Sequence, residues 1–232
     1  MREIILDTET TGLDPLTGDR LVEIGCLEIL NSIPTGQVFH VYLDPQRDMP
    51  AEAFRVHGLS REFLAGKPLF ADVVDEFLAF IAEDKLVIHN AEFDMRFVNH
   101  ELARISRPAI GMHRVVDTLA IARKRHPGAS NSLDALCARY RIDNSRRTKH
   151  GALLDAEILA EVYAELLGGR QTAMSLQVET VKTVTTVVTI SGTRPSPLAS
   201  TLDEMEWQAH EAFIAQLGDK ALWNAYRETD KP

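Results

Sequence analysis

The chain has 232 residues, 45% hydrophobic and 25% charged, with a formal net charge of −9. This is enough apolar material for one sizeable core with some chain left over, and the acidic balance excludes a uniformly basic nucleic-acid coat. Two cysteines, Cys26 and Cys137, exclude a disulfide scaffold and a cysteine-built zinc site; each lies in an apolar run and is expected as a buried thiol.

Residues 3–7 (EIILD) read as a short buried strand. The apolar runs 21–30 and 36–43, separated by the turn cluster NSIPT, complete a three-strand meander. Short helical turns are expected at 51–57 and 60–65, around Gly58. Residues 70–82 place Phe70, Val73, Val74, Phe77, Leu78 and Ile81 at helical spacing. LVIH at 86–89 is a strand. A helix over 91–105, capped by Asn90, stops at Ser106-Arg107-Pro108. RVVDT at 114–118 is a fifth strand, followed by a helix to about 125. Ser132 caps a helix over 133–140, and a long helix covers about 151–167, ended by Gly168-Gly169. Three strands followed by strand–helix repeats imply a mixed α/β sheet flanked by helices.

Beyond Gly169 the character changes. Residues 177–193 are rich in Val and Thr, and prolines fall between Gly192 and Ser200, which reads as a linker with a transient strand at 183–190. Helical spacing returns with Leu202, Met205, Ala209, Phe213 and Leu217, and Leu222, Trp223 and Tyr226 follow the break at Gly218. No run approaches the ~18 apolar residues of a membrane span. The acids of MREIILDTET come too early for a signal peptide, so a soluble cytoplasmic protein is expected.

Charge is uneven. Residues 104–149 hold eleven Lys/Arg against three Asp/Glu, between two acidic stretches. The segment suits either a phosphate-attracting surface or a solvated face of arginine-rich helices.

Three short motifs carry carboxylates. Asp7 and Glu9 in LDTETTG are two apart and project from one face of an extended chain. They fit a strand running into a polar turn, or a pair that meets a cation. In HNAEFDMRF, Asp94 lies in the first turn of a helix, wedged between Phe93 and Met95, where dipole preference accounts for Glu92 better than for Asp94. In HGALLDAE, Asp155 interrupts an apolar face. Five residues of regular helix turn through about 500°, so His150 converges on Asp155 only if it precedes the helix or sits in its frayed first turn, as Gly151 permits. Four such carboxylates in one pocket would repel one another, and two divalent cations would balance them. Oxygen ligands select Mg²⁺ or Mn²⁺ over zinc. A two-metal site suits in-line displacement at phosphorus, with His150 as a general base near neutral pH.

In this order the motifs resemble the DEDDh family of 3′–5′ exonucleases, over about residues 1–167. The resemblance implies a ribonuclease-H-like fold with a five-stranded sheet. It also implies metal binding by Asp7, Glu9, Asp94 and Asp155, catalysis by His150, and release of nucleoside 5′-monophosphates. It narrows to the proofreading subunits of bacterial replicative polymerases. These imply contact of Thr10, Thr11 and Gly12 with the 3′-terminal nucleotide, and of Val56 and His57 with its base; Asn90 and Phe93 join the same pocket. His57-Gly58 equally suits a short helix closed by glycine, and Phe93 equally suits the core.

The implied organisation is a nuclease domain over 1–168, a linker over 169–200 and a docking segment over 201–232. QTAMSL at 171–176 resembles a sliding-clamp-binding peptide, with Gln171 as polar anchor and Met174 and Leu176 in apolar pockets. The segment carrying Leu202, Phe213, Leu217 and Trp223 is expected to dock on the catalytic (α) subunit of polymerase III, or alternatively to pack back on the domain. The substrate implied is a single-stranded or frayed DNA 3′ end, at the replisome on the bacterial nucleoid, with a small accessory subunit left open. Two rival readings are a free-standing nuclease trimming RNA or oligonucleotide ends, and an inactive replisome adaptor.

Overall fold

The computed structural model describes residues 1–147, 149–168, 203–218 and 221–222. Its contacts divide the chain into two units, residues 1–176 and 177–232.

The first unit is built around β1 (Arg2–Thr10). Ile4, Ile5 and Leu6 are fully buried, because both faces of the strand are covered. The two-residue period then divides them. Ile4 and Leu6 enter one core with Phe77, Phe97 and Leu102, under α3 (Phe70–Ile81) and α4 (Ala91–Arg104). Ile5 enters the other with Val87, Leu136 and Leu159, under α5 (Thr118–Arg125), α6 (Leu133–Tyr140) and α7 (Ala152–Leu167). The remaining strands are β2 (Leu21–Leu30), β3 (Ile33–Tyr42), β4 (Lys85–Ile88) and β5 (Val115–Asp117). The sheet order is β3-β2-β1-β4-β5. β1 pairs antiparallel with β2 and parallel with β4, and β4 pairs parallel with β5. The sheet is therefore mixed and five-stranded, as expected. Two short helices, α1 (Ala51–His57) and α2 (Arg61–Leu64), lie between β3 and α3. Cys26 and Cys137 are buried free thiols.

Three local expectations change. The turn after β2 takes only Asn31 and Ser32, both left-handed, and β3 begins at Ile33 despite Pro34. Proline is tolerated there because β3 is an edge strand. Asn90 begins α4 without capping it through its side chain. Its own backbone is left-handed (φ 66°), and its N–H donates to Asp117 Oδ1 at 3.2 Å. Arg114 forms a 3₁₀ turn rather than strand, and Thr118 opens α5, where Asp117 accepts from Leu119 N.

In the second unit, α8 (Glu204–Leu217) is capped by Asp203, which accepts from Glu206 N while Glu206 accepts from Asp203 N. Met205, Trp207, Phe213 and Leu217 are exposed, and Ile214 is buried. No helix of the described residues is long and apolar enough to cross a membrane.

Gly25 stands opposite Asp7 in the β1–β2 register. A Cβ there would lie 2.3 Å from Leu153 N and 2.4 Å from Ala152 C, in the first turn of α7. The bare glycine thus lets the start of α7 rest on the sheet beside the acids of β1. Gly25→Ala is expected to cost roughly 1–3 kcal/mol, as overpacking does. Urea denaturation measures this; an unchanged midpoint would contradict the close approach.

Candidate active site

Asp7 and Glu9 leave the carboxyl-terminal half of β1, where Glu9 is buried and Asp7 partly so. Asp94, in the first turn of α4, is buried, and its Oδ1 accepts from Thr8 Oγ1 at 2.7 Å. Asp155, in the first turn of α7, is buried as well. His150 precedes α7, one of the two placements the helix geometry allows. Its backbone N–H donates to Val56 O at 3.2 Å, tying the loop to α1. Its Nδ1 lies 3.2 Å from Asp155 Oδ2. Ligand atoms of Glu9, His150 and Asp155 lie within 4.8 Å of one another. Asp7 and Asp94 fall outside that tightest group but share its cavity.

That cavity, of about 1330 Å³, is lined by all five residues. Thr10, Thr11, Gly12, Val56, His57, Asn90 and Phe93 line it too. Val56 is exposed and His57 buried. His57 Nδ1 accepts from Leu59 N at 3.0 Å, while Nε2 has no partner among the described residues. Phe93 lines the cavity and also packs on Phe97, at 5.1 Å between ring centroids. Gln171, Met174, Leu176, Leu202 and Trp223 lie outside the described residues.

Electrostatics are dominated by burial, with crowding of the acids second. Burial, then Asp94, Glu9 and Asp155, hold the Asp7 carboxyl well above its ordinary value. Burial, then Glu23, Asp155 and Asp94, push Glu9 up to about 8. Glu23 is buried directly opposite Glu9 on β2 and bonds to His40 Nε2 at 2.7 Å. Burial raises Asp94 to about 7 despite the Thr8 hydrogen bond. Asp155 differs. Burial raises it, but hydrogen bonds from His150 and Arg147 outweigh burial and leave it below its ordinary value.

Arg147 is the residue the motif reading missed. Its Nε and Nη2 donate to Asp155 Oδ1 and Oδ2 at 2.5 and 2.7 Å, and Nη1 donates to Asp134 Oδ1 at 2.6 Å. Nη2 also lies 2.7 Å from His150 Nδ1, the same nitrogen that faces Asp155 Oδ2, so the ring's tautomer decides which of the two contacts Nδ1 makes. The only sequence signal was its place in RRTKH, three residues before His150. One guanidinium offsets four acids incompletely. The donor set, all carboxylate oxygens with one imidazole, fits hard divalent cations.

Residues 4–163 match the model of a family described as Exonuclease. Two solved structures share the fold. The nuclease domain of 3′hExo, a DEDDh family member bound to rAMP, aligns with TM-score 0.62 at 15% identity, covering 72% of this chain and 91% of that one. Exonuclease X in complex with 5′-overhanging duplex DNA aligns at 0.56 and 24% identity, covering 71% and 90%. Fold and family match together define an exonuclease. The DNA polymerase III subunit epsilon of Rickettsia felis is 48% identical over 222 residues, 94% of this chain and 97% of that protein. That of Escherichia coli K12 is 52% identical over 185 residues, 77% and 76% of the two chains. The chain belongs to the family of DNA polymerase III ε subunits.

Glu9 and Asp94 titrate near 8 and 7 when folded, against ordinary values of 4.5 and 3.8. Between those values the folded state binds more protons than the unfolded chain, so stability falls as pH rises. With chelator, the melting temperature is expected to drop from pH 5 to pH 8, and Mg²⁺ to restore most at pH 8. A chelated profile that rises with pH would contradict the crowding. Arg147→Ala removes the buried partner of Asp155 and is expected to destabilise the chelated protein by roughly 3–5 kcal/mol, read from urea midpoints.

Proposed function

We propose that this chain removes 3′-terminal nucleotides from DNA as the proofreading 3′–5′ exonuclease of a bacterial replicative polymerase, releasing nucleoside 5′-monophosphates. The observation that carries the reading is the convergence of His150 with the acids of β1, α4 and α7 in one cavity. Its extension to a polymerase subunit rests on relatives aligned over most of the chain.

Asp7, Glu9, Asp94 and Asp155 hold two divalent cations, Mg²⁺ or Mn²⁺. When bound, these supply the positive charge that favours ionisation of the attacking water and offsets charge on the leaving 3′ oxygen. His150 takes the water's proton. It does so at Nε2 when Nδ1–H donates to Asp155 Oδ2, the tautomer that leaves the Nε2 lone pair free. Arg147 must release Nδ1 for that tautomer to form, since a guanidinium only donates. The terminal nucleotide lies along Thr10, Thr11 and Gly12, with its base against Val56 and His57 and near Asn90 and Phe93. Tying His150 N to Val56 O keeps the base of the reaction beside the group that meets the terminal nucleotide. A mismatched end frays and reaches the cleft as a single strand more readily than a paired one.

The tail serves assembly in this reading. Gln171, Met174 and Leu176 dock on the sliding clamp. Leu202, Phe213, Leu217 and Trp223 dock on the polymerase catalytic (α) subunit, a role supported by the exposure of Phe213 and Leu217 on α8. A small accessory subunit is compatible with this assembly.

The test is release of the terminal nucleotide from 3′-end-labelled single-stranded DNA, with Mg²⁺, Mn²⁺ or chelator. Release is expected to require metal and to yield the 5′-monophosphate. His150→Ala is expected to slow it about 10²–10⁴-fold, and Asp7→Ala to abolish it with the fold retained. A fully active Asp7→Ala protein would falsify the mechanism. Faster trimming of a matched RNA oligonucleotide would favour a free-standing ribonuclease instead.

A further inference from the structure

The cavity extends past the carboxylates. Typical small-ligand pockets are about 300–1,000 Å³, and this one is about 1330 Å³. The residues assigned above to the terminal nucleotide come from the end of β1, α1 and the start of α4. The remaining wall comes from the other side of the sheet, beyond β4 and β5: His89, Leu119, Arg123, Asn131 and Ser132.

Arg123 is the distinctive member of that wall. It sits in the last turn of α5 and is exposed. It has no hydrogen-bond or ion-pair partner among the described residues. Three other arginines of the basic segment 104–149 are spent on the fold. Arg125 donates to Leu166 O, Arg139 to Ser130 O and Arg114 to carbonyls around Ile81–Asp84. Arg147, the other arginine of the cavity wall, is committed to Asp155 and Asp134. Arg123 is therefore, among the described residues, the unpaired arginine of the cleft.

The surface beneath it is rigid. His89 Nδ1 bonds to Thr118 Oγ1 at 2.9 Å, and Thr118 Oγ1 also donates to Ile88 O at 3.2 Å, joining the end of β4 to the start of α5. Asn131 Nδ2 donates to Ala129 O at 2.9 Å, and Ser132 Oγ accepts from Ala135 N. His89, Thr118 and Asn131 thus spend side-chain polar groups on the fold, whereas the charged donor of Arg123 is unpaired among the described residues. The nearby apolar Leu119 suits a sugar or base edge.

We infer that Arg123 and the β5–α6 wall form a phosphate subsite. It would hold the internucleotide phosphate one step upstream of the scissile bond and so set the path of the DNA strand out of the active site. This rests on the exonuclease reading above and adds the direction of the strand. It also explains how an acidic protein grips a polyanion: among the described residues a single unpaired guanidinium faces the cleft, while the carboxylates are reserved for metal.

Two substrates separate this from a structural role. The p-nitrophenyl ester of thymidine 5′-monophosphate has no upstream phosphate; a single-stranded oligonucleotide does. In the full-length chain, Arg123→Ala is expected to raise KM for the oligonucleotide about tenfold and leave ester hydrolysis unchanged. Fluorescence anisotropy of a labelled oligonucleotide, in Ca²⁺ without turnover, is expected to show weaker binding. The slope of log affinity against log salt should be shallower by about 0.7, one single-strand phosphate. Arg123→Lys should recover part of the affinity. Equal loss on both substrates, or unchanged KM and salt slope on DNA, overturns the subsite. The binding arm is independent of catalysis. Arg123-dependent binding without hydrolysis would sustain the subsite and sink the exonuclease reading; normal hydrolysis with Arg123-independent binding would do the reverse.

Discussion

Four carboxylates drawn into one buried cavity govern this protein. Asp7, Glu9 and Asp94 are each pushed toward the neutral form, first by loss of water and then, for Asp7 and Glu9, by the neighbouring acids. A fold retains such a cluster only if positive charge arrives. Part of that charge comes from Arg147, which acts to lower Asp7, Glu9 and Asp155, and only Asp155, bonded to both His150 and Arg147, ends below its ordinary value. The same guanidinium engages Nδ1 of His150. Asp155 of the acid cluster, His150 and Arg147 are thus tied into one hydrogen-bonded group.

The scaffold exists to bring that cluster together. β1 is the central strand of five, covered on both faces, so its start is rigid and its end emerges into the cleft. α4 and α7 approach from opposite faces of the sheet, and each contributes an acid from its first turn. Thr8, between the two acids of β1, donates to Asp94 and locks α4 to the strand. Gly25 removes the side chain that would hold α7 away. A backbone bond from His150 N to Val56 O ties the loop before α7 to α1.

Much of this was legible in the chain. Buried strands, the helix over 70–81 and the Ser132 cap follow from local period and capping chemistry, which act within a few residues. The three carboxylate motifs were legible because acids that interrupt apolar runs are costly. Asn90 was legible as the residue that starts α4, but not its left-handed backbone or the bond from its N–H to Asp117 on β5, which depend on tertiary contact. The strand at Pro34 was misjudged because edge position is not a local property.

The sequence by itself determined the element types, the acid set and the family, since each depends on residue identity and near spacing. Tertiary structure alone decided the rest. It selected Arg147 from a run of basic residues by burying it against Asp155. It left Arg123 unpaired among the described residues while engaging other arginines of its segment elsewhere. It brought His150 and Asp155, near neighbours in the chain, within 4.8 Å of the distant Glu9. Charge acts through space. A sequence orders residues along a line, and which charges meet is settled only when the chain closes on itself.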